Sequence, residues 1–200
     1  AKGINLPDTA LPVPALTDKD IDELRTVAEI ADVVQMSFVQ HPSDVVRLHD
    51  ELGRLGGDGV GVVLKIETRR AFERLPQLLL TAMRRPRVGV MIARGDLAVE
   101  VGYQRLAEVQ EETLWLCEAA HLPVIWATQV LEQMSKSGLP SRAEISDAAM
   151  GERAECVMLN KGPHIDDAVV VLDDILTRMA DHHYKTVSYT HLTLPTSDLV

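Results

Sequence analysis

Val60-Gly61-Val62-Val63-Leu64-Lys65-Ile66-Glu67 is an apolar run that ends in charge. A short run of branched aliphatics reads as a strand buried on both faces, and side chains two apart share a face, so Lys65 and Glu67 point the same way. A lysine and a glutamate facing inward need a reason. One reason is a structural ion pair. The other appears at the end of the next apolar run, where Ala93-Arg94-Gly95-Asp96 supplies a second carboxylate. If the two strands are neighbours, Glu67 and Asp96 can hold one hard cation such as Mg²⁺ and leave positions for water and substrate oxygens. Lys65 would face that substrate.

Working outward, five such runs recur: Asp32 to Val39, Val60 to Glu67, Val88 to Ala93, Pro123 to Thr128 and Cys156 to Asn160. Between them lie stretches of helical period, Ser43 to Leu55, Ala71 to Met83, Tyr103 to Ala120 and Arg142 to Glu152. Strands alternating with helices mean βαβ units and a parallel sheet, hence an α/β fold. The strand starts are spaced about as in a (β/α)₈ barrel of ~250 residues, which spends about 31 residues per unit. Five units fit either a complete open sheet of flavodoxin type or part of a barrel, and periodicity does not choose between them. Thr17 caps a helix beginning near Asp18, with acid in its first turn. The proline-rich segment before it, residues 1–16, reads as an extended connector with chain expected upstream, since Ala1 is not a methionine. Residues 187–200 hold one charged side chain and no helical period; they read as a non-native tail, the alternative being a native flexible one.

Two hundred residues, 46% hydrophobic and 25% charged, suit one globular domain. A formal charge of −10 disfavours a nucleic-acid or anionic-membrane surface. Seven arginines between Arg69 and Arg94 read as a solvated helix face and turn. Cys117 and Cys156 are isolated, without metal-ligand spacing, which excludes a disulfide framework and suits a reducing cytoplasm. No apolar stretch approaches the ~20 residues of a membrane helix. His182 and His183 read as surface, and Met134 and Trp115 as core.

Three motifs in order, Lys65-Ile66-Glu67, Met91 to Leu97 and Pro123-Val124-Ile125-Trp126-Ala127-Thr128-Gln129-Val130-Leu131-Glu132, resemble the pyruvate kinase family. Asn5-Leu6-Pro7 resembles that family's re-entry from its lid domain into the barrel, and Pro140 to Asp147 its loop after the seventh strand. The resemblance runs from about Lys2 to about Thr186. It implies a partial (β/α)₈ TIM barrel over residues 17–186, strands four to eight with their helices, lacking the first three strands and the lid.

By that resemblance the activity is Mg²⁺- or Mn²⁺-dependent phosphoryl transfer between phosphoenolpyruvate and ADP, giving pyruvate and ATP through an enolate. Glu67 and Asp96 would bind the metal, and Lys65 would stabilise charge on the phosphoryl group and the enolate oxygen. Backbone N–H groups of Gly95 and Asp96 would bind the substrate carboxylate at a helix start. Thr128 would bind substrate or relay a proton near the enolate carbon. Arg94 would brace the carboxylates; an adhesion role for Arg-Gly-Asp is excluded, because here it continues a strand. The resemblance also implies K⁺, whose ligands lie in the absent strands, a cytoplasmic homo-oligomer as the full-length protein, and little activity for these residues alone. Trp126 shares strand parity with Thr128 and is expected to point into the barrel. Ala98 stands where the family has Gly. Asn160-Lys161-Gly162-Pro163-His164 replaces the family's Ser-Gly-Glu-Thr, leaving the nucleotide side undefined, with Lys161 able to meet a phosphate. The alternatives are an aldolase or lyase barrel using the same enolate chemistry without a nucleotide, and a non-catalytic subunit.

Overall fold

The computed structural model describes Pro7 and residues 14–190. The connector 1–16 and the tail 187–200 therefore lie largely outside the described residues. The chain divides into two compact units, Ala1–Thr128 with Ala154–Cys156, and Gln129–Arg153 with Val157–Val200.

The first unit opens with α1 (Asp18–Ile30), started by the expected cap: the Thr17 hydroxyl accepts from the Asp20 N–H, and the Asp20 carboxylate accepts from the Thr17 N–H at 2.7 Å. The Thr17 hydroxyl also donates to the Asp20 carboxylate at 2.7 Å, and this bond, then the one from the Thr17 N–H, holds the Asp20 carboxyl below its ordinary value. Then come β1 (Val33–Met36), α2 (Pro42–Arg54), β2 (Gly61–Ile66), α3 (Arg69–Glu73), α4 (Leu75–Ala82), β3 (Val88–Ala93), α5 (Arg94–Val101), α6 (Tyr103–Ala119) and β4 (Val124–Val130). In α2, Val45, Leu48 and Leu52 recur on one face and are buried. The single helix expected over 71–83 is two helices. Pro76 has no N–H to offer the Phe72 carbonyl and its ring crowds that oxygen, so the chain turns at Arg74 and restarts with proline in the first turn.

The strand order is β1-β2-β3-β4-β5, and the first three pairings are parallel. Each strand thus neighbours the strands before and after it in sequence. A flavodoxin-type sheet reverses direction at a switch point, and this sheet has no reversal. The sequential order is that of a barrel wall.

Register assigns the two faces. Lys65 pairs with Met91, and Met91 with Ile125, so these share a face with Val63 and Ala127, which form a small apolar cluster with Met91 and Ile125. Ile66 pairs with Ile92, and Ile92 with Trp126, on the opposite face, all three fully buried. Trp126 therefore does not share the face of Lys65, contrary to the expectation from its parity with Thr128. Trp115 is also corrected: it is 57% exposed, because the buried stripe of α6 is Val109, Thr113, Leu114 and Cys117. Cys117 is sealed there, and burial pushes its thiol up to about 12.

The arginine cluster is not all solvated. Arg85 donates to the carbonyls of His49 and Gly57, Arg69 to that of Glu100, and Arg94 is only 7% exposed.

The second unit holds the end of β4, α7 (Glu132–Ser137), α8 (Arg142–Met150), a 3-10 turn (Gly151–Arg153), β5 (Cys156–Leu159, whose first residue belongs to the first unit) and α9 (Ile165–Thr190). Ser141 and Glu144 cap α8 reciprocally. Met134 is buried, as expected of core. Helix α7 was not expected; it is short and enclosed by left-handed Leu131 and Gly138. Helix α9 runs to Thr190, four residues into the segment set aside as a tail.

Candidate active site at the strand ends

The candidate residues of the first unit gather beyond the carboxyl ends of β1 to β4, where active sites of barrels are built. Glu67 follows β2 and is 2% exposed. A carboxylate so buried must be compensated. It is: Oε1 lies 2.7 Å from the Lys65 ammonium, and Oε2 accepts the Phe38 N–H at 2.6 Å. Lys65 also donates to the Ser37 hydroxyl at 3.2 Å. The strand-end parity that suggested the pair is thus realised, and the end of β1 joins it.

Ser37 and the Phe38 N–H are the participants that the sequence reading missed. Phe38 has φ 50°, which turns the chain after β1. The signal was available in principle. Gln35-Met36-Ser37-Phe38 leaves β1 at the level where Lys65-Ile66-Glu67 leaves β2, since Met36 pairs with Leu64.

From the next strand come Arg94, Gly95 and Asp96, the first turn of α5. The helix starts three residues earlier than the turn expected near Leu97. Gly95 and Asp96 therefore lie where helix N–H groups have no internal partner. The Gly95 N–H is nevertheless engaged: it donates to the Thr128 hydroxyl at 2.7 Å. Thr128 reaches it through an uncommon backbone. Thr128 has φ 64° and Gln129 φ 57°, consecutive non-glycine residues in the left-handed region. This breaks the alternation of β4, which is why Thr128 can meet Gly95 although Trp126 belongs to the other face.

Arg94 joins β3 to β4. Its Nε donates to the Ala127 carbonyl at 2.9 Å and its Nη2 to the Thr128 carbonyl at 2.6 Å, and its guanidinium lies 4.6 Å from the centre of the Trp126 ring. In the second unit, the Gln129 N–H donates to the Asn160 side-chain oxygen at 3.2 Å, so the first residue of the unusual loop supports the turn after β4. Lys161 is exposed.

Among the described residues no group of three or more His, Cys, Asp or Glu is placed to hold a metal ion. The donor set expected from the sequence would be two carboxylates, Glu67 after β2 and Asp96 in the first turn of α5. That fits Mg²⁺, which is usually held by one or two carboxylates together with substrate and water oxygens rather than by an all-protein cage. The buried Glu67 already carries a cation, the Lys65 ammonium, at one of its oxygens.

Parallel strands in sequential order, with lysine, carboxylate and helix-start N–H groups at their carboxyl ends, define an α/β domain of the barrel type. Residues 1–163 match the family model described as pyruvate kinase, barrel domain. The chain belongs to the pyruvate kinase family. It is 39% identical to a pyruvate kinase of Hypocrea jecorina over 162 residues, 80% of this chain and 29% of that protein. It is 36% identical to one of Methylorubrum extorquens over 191 residues, 94% and 38% of the two chains. With one of Thermotoga maritima the identity is 33% over 198 residues, 94% and 41%. The chain thus spans between 29% and 41% of the length of these relatives.

Proposed function

We propose that the protein to which these residues belong transfers the phosphoryl group of phosphoenolpyruvate to ADP, and that this chain carries one half of its site, on strands four to eight of the barrel. The observation that carries the reading is the buried Lys65–Glu67 pair at a strand end, beside a helix start bearing Gly95 and Asp96. The names of the relatives support it.

Phosphoryl transfer needs neutralised charge and aligned atoms more than covalent chemistry. Glu67 and Asp96 would hold Mg²⁺, which when bound neutralises phosphoryl and carboxylate oxygens. The Lys65 ammonium then turns from Glu67 toward the substrate, where it balances charge on the phosphoryl group and on the enolate oxygen left behind. The N–H groups of Gly95 and Asp96 take the substrate carboxylate. Because the Thr128 hydroxyl now occupies the Gly95 N–H, the carboxylate takes over that bond and frees the hydroxyl to relay a proton, giving its own to the enolate carbon as it takes one from a water molecule. Arg94 contacts no reacting atom in this scheme. No residue of the chain is assigned to K⁺. The further parts of the reading are a homo-oligomeric, cytoplasmic parent protein and a chain that is inactive alone.

The test is Mn²⁺ binding to this chain, followed by electron paramagnetic resonance with and without oxalate, alongside a lactate dehydrogenase-coupled assay. Weak Mn²⁺ binding, tightened by oxalate and lost in Glu67→Gln/Asp96→Asn, is expected, with no turnover. Mn²⁺ binding that survives the double substitution would remove the metal assignment. Turnover near that of a complete enzyme would remove the half-site reading.

A further inference from the structure

We infer that Arg94 and Trp126 form a positioning pair that holds Thr128 in its left-handed backbone and thereby aims its hydroxyl at the Gly95 N–H. Thr128 is β-branched, and such a residue at φ 64° is a genuine outlier that persists only when its surroundings over-determine it. Gln129 follows at φ 57°, so relaxation of one residue would carry the other. Something must hold both.

The Arg94 guanidinium has the right shape. Its planar fork places two N–H groups on two consecutive carbonyls, those of Ala127 and Thr128, fixing the peptide that leads into the turn. A lysine could satisfy one of them. The fork is itself held from below by the Trp126 ring, and the pair is enclosed, with Trp126 fully buried and Arg94 7% exposed. Desolvation strengthens a cation over an aromatic face.

Trp126 shows what it is kept for. Its Nε1 is buried and has no hydrogen-bond partner. An indole with an orphaned donor is a poor choice for filling space, since a phenyl ring would bury no polar atom. The indole face is the stronger cation platform, and that face is in use. Trp126 thus acts through Arg94 on Thr128. Neither residue touches substrate in this scheme.

The inference rests on the proposed function only in taking the Gly95 N–H as a carboxylate site, and its test separates the two. The full chain is prepared with Trp115→Phe, leaving Trp126 as its only indole. Amide hydrogen exchange of Gly95 is measured relative to the β2 amides, together with Trp126 emission and oxalate binding in Mn²⁺. In Arg94→Lys and Trp126→Leu, relative protection of Gly95 should fall about tenfold, the worth of one hydrogen bond, and oxalate binding should weaken. Trp126→Phe, which keeps an aromatic face, should restore most of both. Thr128→Val should deprotect Gly95 without moving Trp126 emission. Arg94→Lys with Gly95 protection within twofold of the parent would overturn the inference, as would Trp126→Leu matching Trp126→Phe. If no variant, the parent included, binds oxalate, the proposed function fails while the protection ratios still decide the positioning pair.

Discussion

Glu67 concentrates the energetics of the site in one side chain. It is buried, and takes the Phe38 N–H on one oxygen and the Lys65 ammonium on the other. Removing one partner of a fully buried pair costs about 3–5 kcal/mol. Lys65→Met leaves the buried Glu67 carboxylate without its cation and should cost about 3–5 kcal/mol in urea denaturation. Glu67→Gln keeps an acceptor for Phe38 and should cost about 1–2 kcal/mol. The double variant Lys65→Met/Glu67→Gln should be more stable than the sum of the two predicts; additive losses would show that the pair is not coupled. At this scale the sequence was legible where alternation holds. Lys65 and Glu67 are two apart on an unbroken strand, and the structure brings them together. The geometry of Thr128 was not legible, because a left-handed residue resets the parity on which the reading depends, and the same assumption sent Trp126 to the wrong face.

Elements were more legible than residues wherever period and punctuation agree. All five strands appear within a few residues of their apolar runs, and Thr17 and Ser141 cap their helices as Ser/Thr-x-x-acid signals require. The misses have local causes. Pro76 divides the expected helix, and α7 is too short for two turns of periodicity. The loop Asn160 to His164, which the sequence marks as a departure with Lys161 able to meet a phosphate, has a packing role within the second unit. A Cβ on Gly162 would clash with the Ser135 carbonyl oxygen, which itself accepts the His164 N–H at 3.0 Å. Gly162→Ala must move α7 or the loop and should destabilise by about 1–3 kcal/mol in chemical denaturation. Gly59→Ala has open space around the new methyl and serves as the control, expected within about 0.5 kcal/mol of the parent. Equal stability of the two variants would show that the loop yields freely.

For the molecule as a whole, periodicity counted the βα units but left two sheets open, and only the strand order separated them. Order is a long-range property, and no local pattern encodes it. Acid response is also set beyond the local sequence. His49 on α2 has its Nε2 buried without a partner, and burial, then the nearby Arg85 charge, lowers its pKa from the ordinary 6.5. Below that value the unfolded chain takes up a proton that the folded chain refuses, so stability rises with pH through the window between the lowered and ordinary values and is lost as pH falls through it. The urea midpoint should therefore be lower at about pH 5.5 than at about pH 7.5, and His49→Gln should reduce the difference. An unchanged difference would assign the acid response to other groups.

The sequential order of β1 to β4 also bears on how the chain is made. Each strand finds its neighbour among residues synthesised just before it, so the ribosome delivers the wall in the order in which it can be zipped. Among the described strands β1 to β4 the pairings are all between sequence neighbours, so the loops closed by them stay short. The wall from β1 to β4 is therefore ordered as it would be if it grew at one edge, each new strand taking its register from the one made just before it.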